Sequence, residues 1–179
     1  LSDATALARA SGEDVERRLC HVLRARISLD RRVSDGSGKL AALDRLMSIG
    51  SGGRRRPGTP LTDVMMHAVW CRVSAEFGDM DGIRSHEQSA IATLDELSEE
   101  WQIRARLEMA RAWRAVGDRE NAREHLERAR KMSSRWPLLS WWIETTLASL
   151  IGESIPLPPQ MRVGLDEARI EELESIARA

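Results

Sequence analysis

Residues 103–136 read IRARLEMARAWRAVGDRENAREHLERARKMSSRW, and this stretch decides the fold. Ala110 and Trp113 lie three apart, and Ala122, Leu126 and Ala129 lie four and three apart. Each set forms one stripe of a helix. Between them Gly117-Asp118 interrupts the pattern. Glycine reaches the left-handed conformation that ends a helix, and the aspartate after it is placed to cap the next one. Ala110 and Ala122 are small enough for two helices to approach closely, with Trp113 and Leu126 filling the space around them. The spacing therefore predicts a helical hairpin, 100–116 and 119–133.

Working outward, the same grammar precedes this hairpin. Helices are expected over 62–77 and 80–97, separated by Gly78-Asp79. The two Gly-Asp turns stand 39 residues apart. A helix, a glycine turn and a second helix at such a period is the pattern of an α-solenoid, in which neighbouring pairs bury one another's apolar faces. Downstream, 138–152 (LLSWWIETTLASLIG) reads as a further first helix. Ile155-Pro156-Leu157-Pro158-Pro159 then blocks a normal second helix, and 165–178 is expected as a capping helix. Upstream, 13–32 carries Val15, Leu19, Val22, Leu23 and Ile27 on one stripe. A shorter helix is expected at 39–49, beyond the break at Ser34-Asp35-Gly36. Between the halves, 50–60 reads GSGGRRRPGTP, with nothing apolar to anchor it, and is expected to be a flexible linker.

The 103–136 unit resembles a tetratricopeptide repeat (TPR), a helical hairpin of about 34 residues. The correspondence runs through Ala110, Trp113, Gly117-Asp118, Ala122, Leu126 and Ala129, with Pro137 just beyond the second helix. Arg106 stands where the family often has tryptophan. Residues 64–97 resemble the repeat less closely: Gly78-Asp79 and Ala90 fit, while Ile83 and Glu87 replace the usual alanine and large apolar residue. The resemblance implies an all-α fold, an α-α superhelix of TPR-like hairpins. The implied organisation is a helical pair at 1–49, readable as a divergent repeat, the linker at 50–60, TPR-like repeats over 61–152, and a Pro-rich turn with a capping helix at 153–179.

Composition narrows the function. The chain has 179 residues, 42% hydrophobic and 31% charged, enough apolar surface for a packed core. Lys+Arg is 27 against Asp+Glu 28, for a net charge of −1. A nucleic-acid binder usually carries a basic excess, so direct contact with nucleic acid is not expected. No apolar run reaches the roughly 18 residues of a membrane span, and the first ten residues, LSDATALARA, show no basic-then-apolar leader. Cys20 and Cys71 sit in helical patterns outside any CxxC, as expected of reduced thiols in a cytoplasmic protein. The four histidines, His21, His67, His86 and His125, form neither HxxxH nor HExxH. His67 and Cys71, four apart on one helix, are expected to be an imidazole beside a packed thiol. With no phosphate-binding glycine motif and no GxSxG, no cofactor, metal or catalytic residue is assigned, and an enzyme is not expected.

In a tetratricopeptide hairpin the first helix lines a concave groove. The resemblance thereby implies partner-binding roles for Arg72, Arg104, Glu108, Arg111, Arg114 and Trp142, with Leu107 and an apolar floor at Met65, Ala68 and Val69 beside them. Arginine grips carboxylates in a bidentate fashion, and indole rings anchor interfaces. The expected partner is a protein or peptide, acidic or carboxylate-terminated. The leading expectation is a scaffold or adaptor module binding a peptide or helix. The alternatives are the sensor part of a bacterial transcription regulator, since such repeats are often fused to DNA-binding domains, and an enzyme on a helical scaffold. As surface groups these arginines are expected to contribute little to stability.

Overall fold

The computed structural model describes residues 14–30 and 59–178. The expected helix at 39–49 and residues 50–58 of the expected linker lie outside the described residues. Within them the regular structure is all-helical. Seven α-helices run α1 Asp14–Asp30, α2 Pro60–Glu76, α3 Met80–Ile91, α4 Glu99–Ala115, α5 Arg119–Met132, α6 Pro137–Leu150 and α7 Glu167–Arg178. Short 3-10 turns occupy Leu94–Glu96, Ser133–Arg135 and Pro159–Met161. None of the described helices is long and apolar enough to cross a membrane. The chain divides into two compact units, 1–97 and 98–179.

In the first unit α1 packs on α2, and α2 pairs with α3. Helix α2 starts two residues before the expected Thr62. Thr59 accepts a hydrogen bond from the Thr62 amide at 3.3 Å, and Pro60 takes the first helical position, where its missing N–H costs nothing. Val64, Met65, Ala68 and Val69 are fully buried along α2, whereas α3 buries only Ile83 and Ala90. The α2–α3 turn closes with paired hydrogen bonds, Gly78 N to Ala75 O at 3.1 Å and Asp79 N to Ser74 O at 2.9 Å. Gly78 has φ 69°, and the Asp79 carboxylate then accepts the Gly82 amide at 2.8 Å. Side chains crowd the next turn: a Cβ on Gly82 would lie 2.6 Å from Ser74 Oγ and would overlap the Asp79 carboxylate. Helix α3 is shorter than the expected 80–97. The chain leaves it at Ile91 and tightens into the 3-10 turn that buries Leu94.

In the second unit α4 pairs with α5, and α6 packs on both. Ser98 sits at the N-cap of α4, with Glu99 and Glu100 in the first turn, where the helix dipole favours negative charge. The turn into α5 repeats the geometry of the α2–α3 turn. Gly117, φ 82°, donates to Arg114 O at 3.0 Å, and Asp118 N donates to Trp113 O at 3.0 Å. The Asp118 carboxylate accepts the Asn121 amide at 3.1 Å. Helix α6 ends with the same pair of bonds, from Gly152 N to Ser149 O and from Glu153 N to Ala148 O. Ala110, Trp113, Ala122, Leu126 and Ala129 are all buried, as their stripes require.

No helix follows the α6 turn directly: prolines 156 and 158 hold the chain extended, and Pro159 opens the short 3-10 turn. That segment is instead clasped: Leu157 is buried, its amide donates to Glu174 Oε1 at 2.8 Å, and Arg162 bridges Leu157 O (2.7 Å) and the same carboxylate (3.3 Å). Trp141 is nearly buried and donates its indole N–H to Pro156 O at 3.1 Å. Leu165, Ile170 and Leu173 pack around Trp141 and Leu157. This places α7 as the cover of that small core.

Candidate functional site

Four of the residues singled out for partner binding come together in the second unit, where α6 lies against α4. Glu108, Arg111 and Arg114 succeed one another at helical spacing on α4, and Trp142 faces them from α6. The Arg111 guanidinium lies 4.9 Å from the Trp142 ring centroid, a cation–π contact, and reaches Glu108 Oε1 at 3.4 Å. One turn on, Arg114 Nη1 donates to Ser149 Oγ at 2.8 Å. Ser149 donates in turn to Thr146 O at 2.7 Å, and Thr146 Oγ1 donates to Trp142 O at 2.7 Å. Arg111 and Arg114 of α4 are thus seated on α6, the first by stacking and the second by a hydroxyl contact.

Burial separates these residues. The Glu108 side chain is 0% exposed and that of Arg111 5%, so the middle of the set lies in the interior, contrary to the surface exposure expected of them. Leu107 is buried beside them. Periodicity assigns charged residues to the solvent face, but α4 is the inner helix of its unit and buries every residue but one from Ile103 to Trp113. Arg106, at the position where the resembling family often has tryptophan, is buried as well.

Arg104 and Arg114 keep partial access. Arg104, 31% exposed, donates from Nε (3.1 Å) and Nη2 (2.7 Å) to Glu100 Oε1, and its guanidinium lies 5.5 Å from the Trp101 ring centroid. Trp142 is half-buried, and its indole Nε1 lies inside with no acceptor among the described residues. Arg72 stands half-buried on α2, in the first unit. The supporting residues Trp101 and Ser149 were not singled out from the sequence. Trp101 lies three residues before Arg104, a signal of helical proximity. Ser149 is 35 residues from Arg114, too far for any local pattern.

A second grouping occurs in the first unit. His67 on α2 meets His86 on α3, with Nδ1 to Nδ1 at 3.1 Å, and Trp70 stacks on His86 with centroids 5.5 Å apart. Burial lowers the proton affinity of both imidazoles. Cys71, the expected neighbour of His67, is buried and directs its thiol to Ile83 O at 3.6 Å. Burial and then the nearby Glu87 charge raise the thiol far above its ordinary range. Cys20 and Cys71 are both thiols. Among the described residues no group of three or more His, Cys, Asp or Glu side chains is arranged to hold a metal ion.

Compared with protein-family models, with curated proteins and with solved structures, the chain finds no match.

Proposed function

We propose that the chain is a protein-interaction module of TPR-like helical hairpins, whose second unit presents arginines to an acidic or carboxylate-terminated peptide. The observation carrying this reading is the fixing of two partly accessible α4 arginines: Arg104 lies over Trp101, and Arg114 is held by Ser149 of α6. A guanidinium stacked on an aromatic face still projects its N–H groups in plane, the geometry that matches a carboxylate. Fixing such side chains before binding lowers the entropy lost on association. Arg104 and Arg114, which keep partial access, are the residues assigned to contact; Glu108 and Arg111 are assigned to hold Trp142 and the helix pair in place.

The hairpin part of the reading draws support from the matched turns at Gly78-Asp79 and Gly117-Asp118, which share paired closing bonds, a left-handed glycine and an aspartate cap. Hairpins of this kind are the units of α-α superhelices.

The test uses a fluorescein-labelled, glutamate-rich decapeptide with a free C-terminal carboxylate, titrated with the full chain and followed by anisotropy. Binding should weaken as salt screens the charges. Arg104→Ala combined with Arg114→Ala should weaken it about thirtyfold, equivalent to roughly 2 kcal/mol from lost charge-assisted hydrogen bonds. Failure of the wild-type chain to bind the peptide, or equal binding by the double variant, refutes the assignment.

A further inference from the structure

The α2–α3 hairpin contains an imidazole pair that the interaction reading leaves unused. His67 Nδ1 and His86 Nδ1 face each other at 3.1 Å, with ring centroids 5.3 Å apart and planes tilted by 35°. At this separation one nitrogen carries the proton and the other offers its lone pair. Trp70 covers His86 from the α2 side in a near-parallel stack, at an interplanar angle of 20°. Two imidazoles fall short of the three protein ligands that a resident zinc ion takes, so proton chemistry governs the pair.

The surroundings set the direction of that chemistry. For His67, burial is the main influence disfavouring the charged form, the nearby His86 adds to it, and Asp63, one turn earlier on α2, opposes it. For His86, burial disfavours the charge and Asp79, the cap of α3, opposes it. Glu87 adjoins His86 on α3. Helix α1, packed on α2, carries His21, Arg24 and Arg26, and the 3-10 turn against α2 and α3 carries Asp95 and Glu96. The net result for both imidazoles is a proton affinity below the ordinary histidine value. Helix α3 buries Ile83 and Ala90, and the imidazole contact adds a hydrogen bond that ties it to α2.

We propose that His67 and His86 form a proton-operated latch between α2 and α3, closed while one proton lies between the two Nδ1 atoms and released when both Nδ1 atoms are protonated and both rings are charged. Doubly protonated, the pair sets two N–H groups nose to nose and places two positive charges about one ring-to-ring distance apart. The open hairpin, with its imidazoles in water, binds protons more readily than the closed one. Stability is therefore complete above the ordinary histidine value of about 6.5 and is lost as pH falls from there toward the lowered values of the closed state. The open-to-closed ratio rises by at most about tenfold per pH unit for each histidine.

Two measurements on the full chain test this. Imidazole nitrogen NMR of the wild type should show His67 and His86 both titrating below pH 6.5, with α3 amide shifts moving over the same range. Thermal melts between pH 7.5 and 5 should show a larger loss for the wild type than for His67→Gln, whose amide still donates and accepts but takes no charge. The difference should be about 4–8 °C. An equal loss in His67→Gln overturns the latch. So does either imidazole titrating above pH 6.5, or α3 amides that ignore the titration. The NMR arm decides alone if His67→Gln does not fold.

Discussion

Replacing Arg111 by methionine probes the interior of the second unit. Methionine keeps most of the unbranched stem and its volume while removing the guanidinium. The Glu108 carboxylate, 0% exposed, then loses the charge 3.4 Å away, and the Trp142 face loses the cation lying 4.9 Å from its centroid. Removing one member of a buried ion pair costs roughly 3–5 kcal/mol, because the remaining charge has been taken out of water. The 3.4 Å contact is long for a charge-assisted bond, which favours the lower end. The lost cation–π contact adds about 0.5–2 kcal/mol. A total near 4 kcal/mol corresponds to a fall in melting temperature of roughly 8–16 °C for a chain of this size. Replacing both partners, Glu108→Leu with Arg111→Met, removes both charges and should recover to within about 1 kcal/mol of the wild type. Thermal melts followed by circular dichroism, with the Glu108→Leu single variant completing the cycle, measure the coupling. An Arg111→Met melting temperature within about 2 °C of the wild type would refute the argument. So would a double variant less stable than both single ones.

The other expectations concern the turns and the buried thiol. Gly78→Ala and Gly117→Ala should each cost about 1 kcal/mol or more in urea unfolding, because φ values of 69° and 82° are poorly accessible to alanine. A Cβ would meet nothing within 4 Å at either position, so the cost is conformational and the two values should agree; a neutral result at either site would contradict the turn geometry. Cys71, whose thiol is raised by burial, should resist iodoacetamide at pH 8 until the chain is unfolded in denaturant. Rapid alkylation of the native chain at Cys71, read by mass spectrometry, would show the hairpin to be open.

The helix turns were legible because their chemistry is local. A left-handed glycine and a capping aspartate leave a mark within five residues, and both Gly-Asp pairs end one helix and start the next. Helix starts were less so: Pro60 opens α2 because Thr59 caps it, a reading hidden behind the glycine and proline of the preceding segment. The 3-10 turn at Leu94–Glu96 depends on burying Leu94 against α2 and α3, which helical periodicity does not encode. The candidate site was legible as a set of residue types, and Arg111, Arg114 and Trp142 do assemble. The burial of Glu108 and Arg111 was not, because it depends on α6, about thirty residues downstream of Arg111, covering charges that spacing alone consigns to solvent. His86 escaped for the same reason. It lies 19 residues from His67, across a turn, while the within-helix pattern pointed to Cys71.

The crowding at Gly82 has a consequence for how this sequence can drift. Asp79 caps α3 by occupying the volume that a methyl group on residue 82 would need, and Ser74 Oγ closes the other side. Positions 74, 79 and 82 are therefore bound into one inheritance. Among sequences descended from a common ancestor with this one, a side chain at 82 should appear only where the side chains at 74 and 79 have shrunk or turned away. The corresponding triplet of the second hairpin, Trp113, Asp118 and Asn121, already tolerates a side chain at its third position, where Asn121 donates to the capping aspartate. The two hairpins thus place different restrictions on substitution at the same relative position, and a survey of natural variants should find 121 diverse and 82 confined.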